Sequence, residues 1–301
     1  MRDLRIVVSL PNDNAYQHEQ GVIARATGGQ LGLNVEVLHA NDDAITQSQQ
    51  ILGLVQAGAG KKPAAIIVEP VTANALKRVA EEAVSAGIAW VVSNSEVDYV
   101  KALRAGSKVP VFVVSQGQYE IGRVQGKQIT ALLPKGGNVL LIEGPSMSSV
   151  TKQRREGMES ARAKEVQVAT LRSKFNEESA FQSVAAWLKL ATSRAEKYDL
   201  VVGQTHELAL GARKALLALG DEEQKRKWME KKFLGIGVAN QVKPLVDKRT
   251  LTAAVVTSVT MQVAMSLLVR AIDTKSPVPE VNIVDVSSYP GLDALAGPAS
   301  R

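Results

Sequence analysis

The sequence contains no cysteine, and this absence excludes several kinds of chemistry. Without cysteine the chain has no disulfides, no thiolate nucleophile and no metal site built on cysteine ligands. Stable folding must therefore come from an ordinary packed core, for which 301 residues are ample. A chain without thiols suits an oxidising or a reducing compartment equally, so cysteine usage leaves the location open.

Histidines, aromatic residues and long apolar runs are also scarce. There are three histidines, and neither His18 nor His39 has a partner at metal-ligand spacing, so no metal site is predicted. Aromatic residues make up 4% of the chain, and no basic stripe is interleaved with them, which argues against nucleic-acid binding. No apolar run reaches the ~18 residues that a membrane span requires.

The formal net charge is +6, and the basic residues are spread along the chain. The densest groups are Lys152–Arg155 and Lys225–Lys232. The second group is interleaved with acidic residues, a pattern typical of a solvated helix face. A helix near Asp221–Glu230 is predicted there as a surface elaboration.

Short apolar strands alternate with helical patterns along the whole chain. Each strand is apolar on both faces, as expected for parallel strands that are covered by helices on both sides. The β-α-β-α order predicts an α/β fold with doubly wound parallel sheets. The clearest strands are Ile6–Val8, Val35–Leu38, Ala65–Val68, Trp90–Val92, Val111–Val114, Val139–Ile142, Val166–Leu171, Leu200–Val202 and Phe233–Ile236.

A strand–loop–helix unit with a polar loop occurs twice. The stretch from Pro134 to Met158 enters a strand from a Gly-Gly turn, continues into the loop Gly144–Ser149 and then into a helix. Leu4–Leu31 repeats this order, with a polar loop over Leu10–Tyr16. Such units bring a loop and a helix N-terminus to the carboxyl edge of a sheet, where ligands bind. Two similar halves predict two lobes with a ligand cleft between them.

The end of the chain is predicted to return to the first lobe. The helix Met261–Asp273 and the strand Val281–Val286 follow after the second lobe is complete, while the first lobe has only four strands. Crossings are therefore expected near residues 113–117, 256–260 and 286–289, and three linkers would form a hinge. The predicted lobes are residues 1–114 plus 259–286, and residues 115–258 plus 287–301.

Several motifs, taken together, resemble those of a known family. They are RIVVSLPNDNAYQHEQG, PAAIIVEPVTANAL, GIAWVVSNSEVD, QYEIGRVQGKQI, TKQRREGM and LVVGQTHELALGARKAL. The chain resembles the type I periplasmic solute-binding proteins, the ribose-binding-like sugar receptors of ABC importers, which share their fold with lac-repressor-type sensor domains. The resemblance implies two Rossmann-like lobes joined by a three-strand hinge, and a non-catalytic receptor that closes on its ligand.

The resemblance also implies positions for ligand contacts. In the first lobe they are Asn12, Asn14, Tyr16, Asn94 and Ser95, and in the second lobe they are Lys152, Phe175, Thr205, His206, Gly237 and Ser258. Most depart from the pattern of ribose-type relatives, which have Asp-Arg at Asn94–Ser95 and Asp at Gly237. Such a site, poor in carboxylates and holding an ammonium group, would tolerate an anionic ligand, so sugar acids join sugars and polyols as expected ligands.

Each candidate residue also has a purely structural interpretation. Asparagines favour turns and caps whether or not they bind a ligand. Tyr16 and Phe175 could serve as packing residues, and His206 could cap its helix. Lys152 lies in a first helical turn, where a positive charge opposes the helix dipole, which favours a ligand role. The neighbouring Arg154 and Arg155 are expected to be solvated, or to pair with Glu156 and Glu159.

Other classes of function find less support in the sequence. An enzyme would need convergent acid, base or nucleophile groups, and Glu69 and Glu143 lie at strand ends with no evident partner. A repressor would need a helix-turn-helix ahead of the first strand, and MRDLRIVVS enters that strand at once. The resemblance thus implies a monomeric receptor without a cofactor that serves an ABC permease or, alternatively, signals to a membrane kinase or another partner. The resemblance favours a periplasmic or extracellular location. No leader is recognisable at the start of the sequence given, so either a leader is missing from it or the protein stays in the cytoplasm.

Overall fold

The computed structural model describes residues 4–58, 60–95, 97–190 and 193–296. The chain divides into two compact units. Unit 1 comprises the described residues of Met1–Gln116 together with Val259–Val284. Unit 2 comprises those of Gly117–Ser258 together with Asp285–Arg301. The chain passes between the units three times, after residues 116, 258 and 284.

The two units are built from alternating strands and helices. The strands are β1 Arg5–Leu10, β2 Asn34–His39, β3 Ala65–Val68, β4 Ala89–Ser93, β5 Val111–Ser115, β6 Gly137–Glu143, β7 Val166–Arg172, β8 Leu200–Gly203, β9 Lys232–Val238, β10 Ala253–Thr257, β11 Val281–Ile283 and β12 Val286–Tyr289. The helices are α1 Ala15–Leu31, α2 Ala44–Val55, α3 Lys77–Ser85, α4 Val100–Ala105, α5 Gln118–Leu132, α6 Ser149–Ala161, α7 Glu177–Trp187, α8 His206–Leu217, α9 Glu222–Met229, α10 Ala239–Asp247, α11 Thr260–Thr274 and α12 Leu292–Leu295.

Unit 1 has a six-stranded sheet in the order β11-β5-β4-β3-β1-β2, and all its strand pairs are parallel. Every residue of β3, β4 and β5 is buried. Their valine- and isoleucine-rich sequences suit this position, because β-branched side chains pack well when both faces of a sheet are covered. The sequence prediction of a doubly wound parallel sheet is confirmed here.

Unit 2 repeats the architecture with one difference at its edge. Its sheet has the order β12-β10-β9-β8-β6-β7. All pairs are parallel except β10 with β12, which is antiparallel with Ala254 opposite Tyr289. Parallel order therefore dominates both sheets, and the two-lobe α/β fold class predicted from the sequence is confirmed.

Helix α11 belongs to unit 1, although unit 2 separates it from the rest of that unit in the sequence. Met261, Ala264, Met265 and Leu268 on one face of the helix are fully buried in the unit 1 core. The same helix packs against α1. The return of the chain to the first unit that the sequence predicted is therefore present.

The strand predicted over Val281–Val286 is wrong in its extent. Residues 281–283 form β11 beside β5, whereas Val286–Tyr289 forms β12 in the other sheet. Val284 is 7% exposed and packs in the core of unit 1, so the chain leaves that unit after it. The run VNIVDV has the composition of a single strand. Local sequence does not tell which sheet edge each half meets, so the division between the two sheets could not be predicted from it.

Two motifs that carried the resemblance owe their glycines to one helix contact. Helices α5 and α6 pack so closely that a Cβ on Gly122 would lie 2.1 Å from the carbonyl oxygen of Arg154. A Cβ on Gly157 would lie 1.9 Å from the carbonyl oxygen of Tyr119. Because neither approach leaves room for a methyl group, glycine permits this backbone contact, which in turn positions the loops at both helix N-termini.

Helix α9 is more than the surface elaboration that the sequence predicted. Its charged residues are solvated and pair with one another, as in the Lys225–Glu222 ion pair at 2.8 Å. Trp228, however, is fully buried. Its ring stacks on Tyr198 at 5.6 Å and meets Trp187 edge-on at 6.0 Å, so an aromatic cluster anchors the helix to unit 2.

Candidate functional site

Each sheet has one point where the strand order reverses direction. In unit 1 this point lies between β1 and β3, and in unit 2 it lies between β6 and β8. Loops that leave adjacent parallel strands in opposite directions open a crevice at the carboxyl edge of the sheet. The candidate site in each unit is therefore the set of side chains that follow these strands, and the two sets are described separately.

The loop after β1 in unit 1 is held by its own asparagines. The Asn12 side-chain oxygen accepts a hydrogen bond from the Asn14 N–H at 3.1 Å, and its amide nitrogen donates to Asp42 Oδ1 at 2.6 Å. The Asn14 oxygen accepts from the Gln17 N–H at 3.0 Å and caps α1. Both predicted residues thus have a structural function here. Tyr16 is half-buried, and its hydroxyl accepts from Gln116 Nε2 at 3.5 Å.

Glu69 lies directly after β3 at the centre of a polar cluster. Its Oε1 accepts hydrogen bonds from Gln17 Nε2 at 2.8 Å and from Asn94 Nδ2 at 3.3 Å. Burial raises the pKa of the Glu69 carboxyl from 4.5 to about 7, although both amides oppose the shift. The prediction that Glu69 has no partner was wrong, because its partners come from α1 and the loop after β4, which are distant in sequence.

Asn94 and Ser95 follow β4, the next strand in the sheet. Asn94 has a left-handed backbone with φ of 55°, a conformation that asparagine tolerates better than most residues. The side-chain amide of this residue donates the hydrogen bond to Glu69. Ser95 is half-buried beside it. Glu69 thus places a carboxylate next to Asn94, which the expectation of a site poor in carboxylates did not include.

The histidines of unit 1 meet one acidic side chain. Asp13 Oδ1 lies 3.1 Å from His18 Nδ1 and 3.7 Å from His39 Nε2. His39 Nδ1 lies 2.7 Å from the carbonyl oxygen of Asn12, so the ring also supports the β1 loop. Within the described residues, no group of three or more histidine and carboxylate side chains could hold a metal ion.

The loop after β6 in unit 2 is shaped by glycine and an aromatic ring. A Cβ on Gly144 would lie 2.1 Å from the Phe175 ring, so the ring packs directly on the glycine backbone. Phe175 is half-buried at the edge of the unit 2 core. Lys152 lies in the first turn of α6 with an exposed side chain, and its backbone N–H donates to Ser148.

The residues after β8 and β9 lie close together. Thr205 caps α8 by accepting from the Leu208 N–H at 3.3 Å. His206 Nδ1 lies 3.2 Å from the carbonyl oxygen of Ile236. A Cβ on Gly237 would lie 2.8 Å from the same ring nitrogen, so this glycine makes room for His206. Ser258 directly follows β10, which pairs with β9, and its hydroxyl donates to the carbonyl of Asp285 at 3.3 Å.

A buried network in unit 2 escaped the sequence analysis. Arg154 is 7% exposed, and its guanidinium donates to Gln118 Oε1 at 2.8 Å and to the carbonyl of Gln204 at 2.5 Å. The Gln204 side chain accepts from the Gly144 N–H at 3.1 Å and donates to the carbonyl of Thr151 at 3.2 Å. These bonds join the loop after β6, helix α6 and the loop after β8.

The expected surface position of Arg154 was therefore wrong. Arg154 lies three residues before Gly157, on the face of α6 that packs against α5, and this spacing could have indicated its burial. Arg155 does bond Glu159 at 2.8 Å, as expected. It also pairs with Glu143 at 2.8 Å, so Glu143 is not without a partner.

A cavity of about 680 Å³ lies elsewhere in unit 1. It is bordered by Ala64, which directly precedes β3, and by Ala89 and Val111, which begin β4 and β5. This is the amino edge of the sheet, whereas ligands of parallel α/β sheets bind at the carboxyl edge. The cavity is therefore not part of the candidate site.

A protein-family model, the periplasmic binding protein domain, matches residues 6–276. The chain belongs to this family. The resemblance seen in the sequence is thereby confirmed. None of the helices in the described ranges combines the length and apolar character needed to cross a bilayer.

Two relatives are solute-binding proteins by name. A putative rhizopine-binding protein of Rhizobium meliloti is 26% identical over 196 residues, which cover 63% of this chain and 59% of the relative. A xylitol-binding protein of Mycolicibacterium smegmatis is 27% identical over 192 residues, covering 62% of this chain and 51% of the relative. The matches thus span little more than half the length of these family members.

Solved structures of low identity share the fold. A solute-binding protein of Actinobacillus succinogenes with bound D-allose has a TM-score of 0.78 at 20% identity, covering 95% of this chain and 97% of its own. A Bacillus halodurans protein with bound myo-inositol has a TM-score of 0.76 at 18% identity, covering 98% and 97%. The fructose-binding periplasmic domain of a hybrid two-component system has a TM-score of 0.74 at 20% identity, covering 97% and 93%.

Proposed function

We propose that this periplasmic binding protein is a non-catalytic receptor for a sugar or polyol and delivers it to an ABC import permease. The observation that carries the proposal is the polar lining of both strand-order reversals. In unit 1 it consists of Asn94, Glu69 and Gln17, and in unit 2 it includes Thr205 and His206. Family membership and the named ligands of the relatives support the same function.

These residues suit a ligand with many hydroxyl groups. Each hydroxyl both donates and accepts, so its site needs amides, which do the same, and carboxylates, which accept. A sugar ring also presents apolar C–H faces, and Phe175 and Tyr16 supply half-buried aromatic surfaces for them. Asn12, Asn14, Ser95, Lys152, Gly237 and Ser258 complete the proposed contact set.

Binding is proposed to work by a shift in population. A solute that contacts the half-sites of both units at once favours the conformations in which those contacts coexist. The three chain crossings would act as the hinge for this change. A permease would then recognise the solute-bound form, and only the solute-bound form would be productive.

A thermal-shift screen over neutral monosaccharides, polyols and sugar acids tests the proposal. D-allose, D-fructose, xylitol and myo-inositol are the first probes. Saturation at ~100 times Kd should add about 2.7 kcal/mol to the free energy of unfolding. Small-angle scattering with the best probe should detect contraction, and proton NMR should find the probe unchanged after long incubation. Absence of any stabilising solute would contradict the receptor function, and turnover of the probe would indicate an enzyme.

A sensor function is the second candidate. It is favoured by the fructose-binding periplasmic domain of a hybrid two-component system among the proteins of similar fold. Binding would then be reported to a membrane kinase without transport. Solute uptake by cells that lack this protein separates the two: a transport receptor is required for uptake, whereas a sensor affects uptake only through gene expression.

A further inference from the structure

The backbone around Glu69 is fixed by a buried side chain. Gln47 is fully buried, and its Nε2 donates to the Glu69 carbonyl at 2.9 Å while its Oε1 accepts from the Val71 N–H at 2.9 Å. The Glu69 N–H donates to the carbonyl of Ser9 at 2.9 Å. Glu69 is thus held on both sides at the strand-order reversal, so its carboxyl needs little reorganisation to meet a ligand.

The two oxygens of the Glu69 carboxyl have different surroundings. Oε1 accepts from both Gln17 and Asn94, whereas Oε2 has no hydrogen-bond or ion-pair partner among the described residues. Gln17 is 5% exposed, and its own Oε1 is buried and has no hydrogen-bond partner among the described residues. The Gln17 amide thus donates to Glu69 while its own oxygen has no protein partner, so this end of Gln17 is available to a water or a solute hydroxyl.

Other charged side chains nearby are occupied elsewhere. On the loops after β1 and β2, Asp13 meets His18 and His39, and Asp42 accepts from Asn12. On the loop after β4, Asp98 accepts from Asn74. No lysine or arginine of the described ranges pairs with Glu69, so no protein cation competes with a solute for this carboxyl.

We propose that Glu69 is the specificity-determining residue of unit 1, accepting a hydrogen from a hydroxyl or ammonium group of the solute at Oε2 and rejecting solutes with an anionic group there. This inference rests on the proposed receptor function. An ionised carboxylate is an acceptor only, so it matches O–H and N–H donors and repels carboxylates and phosphates. The hydrogen bond it makes is charge-assisted and therefore strong.

The same carboxyl makes binding depend on pH. Its pKa of about 7 means that part of the unliganded protein carries a proton on Glu69 at neutral pH. A donating solute requires the ionised form, so affinity should rise between pH 6 and pH 8. A solute that makes no contact with Glu69 should show no such rise.

Calorimetry with matched probes tests the inference. D-glucose, D-galactose and myo-inositol are compared with amine-bearing counterparts and with glucuronate, galacturonate and inositol monophosphate, at pH 6 and pH 8. The proteins are wild type, Glu69→Gln and, as a control, Glu156→Gln on the exposed face of α6. Glutamine keeps an acceptor for both amides, and melting curves verify that the variant is folded.

In the set whose neutral member binds, we expect the anionic counterpart to bind wild type at least tenfold more weakly than the neutral or amine-bearing probe. Glu69→Gln should lower the affinity for the neutral probe about tenfold and reduce the difference in affinity between the neutral and anionic probes. It should also abolish the rise in affinity with pH. Glu156→Gln should leave all of these affinities unchanged. Equal affinity of wild type for neutral and anionic probes, or affinities of Glu69→Gln that equal those of wild type, would overturn the inference and leave the receptor function intact. If no neutral solute of any screen binds wild type, the receptor function fails and the inference fails with it.

Discussion

Two glutamates at strand ends, one in each unit, show how differently the two sheets use the same kind of side chain. Glu143 ends β6 and is buried against Arg155 at 2.8 Å, with Arg172 at 3.9 Å. Glu69 follows β3 and has two neutral amides instead. The paired glutamate is held by guanidinium groups and stabilises the fold. Glu69 has no cationic partner among the described residues, and its Oε2 is the acceptor that we propose for the solute.

The side chains that fix the loops in the two units differ in the same way. In unit 2 the Arg154 guanidinium binds a glutamine side chain and a backbone carbonyl, so its hydrogen bonds fix loops. In unit 1 the equivalent task of fixing the loop after β3 is carried out by the neutral Gln47. In unit 2 the fixing side chain is charged, whereas in unit 1 a neutral side chain fixes the backbone of a glutamate. We therefore expect mutations in the two units to change stability differently.

The largest effect is expected from Arg154→Met. The variant leaves Gln118 Oε1 and the Gln204 carbonyl without this donor in a buried place. Loss of two charge-assisted bonds should lower the free energy of unfolding by about 3–4 kcal/mol. Chemical denaturation measures the loss. Lys152→Met, two residues earlier and exposed, is the matched control and should be neutral; equal stability of the two variants would contradict the scaffolding role.

Glu143→Gln should cost about 2 kcal/mol at pH 7, because Arg155 loses the charge of a buried partner. The exposed Glu156→Gln serves as its control. Urea unfolding at low and high salt measures the difference. A Glu143→Gln protein as stable as wild type would remove the contrast between the two glutamates.

Glu69→Gln should have the opposite sign and stabilise the protein at pH 8 by about 1–2 kcal/mol. The folded-state pKa of about 7 lies above the ordinary value of 4.5, so the folded protein holds the extra proton between these values. Wild-type stability therefore falls as the pH rises through this window, and the neutral glutamine avoids the loss. The melting temperature of Glu69→Gln should exceed that of wild type slightly at pH 5 and by more at pH 8. Destabilisation at pH 8 would mean that Glu69 is a structural residue.

The smallest effects concern helix caps. Asn14→Ala in unit 1 and Asn176→Ala in unit 2 each remove a side-chain acceptor for a helical N–H. Each should cost about 1 kcal/mol. If Asn14 also contacts the solute, its variant alone should weaken binding, whereas Asn176→Ala should leave affinity unchanged. Calorimetry on both variants separates capping from recognition.

Much of the fold followed from local patterns. Continuous apolar strands such as AIIV in β3 indicated a sheet covered on both faces, and the late helix α11 indicated a return to the first unit. The division of residues 281–289 between two sheets could not be predicted, because it depends on which edge each residue meets. Gly122 and Gly157 appeared as motif residues, and their reason became clear only from the α5–α6 contact.

The candidate site was predicted less completely than the fold. Asn94 was named for its place after a strand, but its partner Glu69 lies 25 residues away and Gln17 lies 52 residues from Glu69. Such contacts come from topology, which a local pattern does not contain. Arg154 was misjudged because a basic residue in a polar helix is usually exposed, and only the close packing of α5 buries it.

The proposed receptor function requires residues of unit 1 and residues of unit 2 to contribute to binding of the same sugar or polyol. Calorimetric titration of the best solute from the thermal-shift screen tests it, using wild type, Asn94→Ala in unit 1, His206→Ala in unit 2 and Glu156→Gln as control. Each half-site variant should weaken the same solute about tenfold or more, as the loss of one hydrogen bond to a bound group predicts. Weakening by only one of the two variants, or by neither, would contradict the claim.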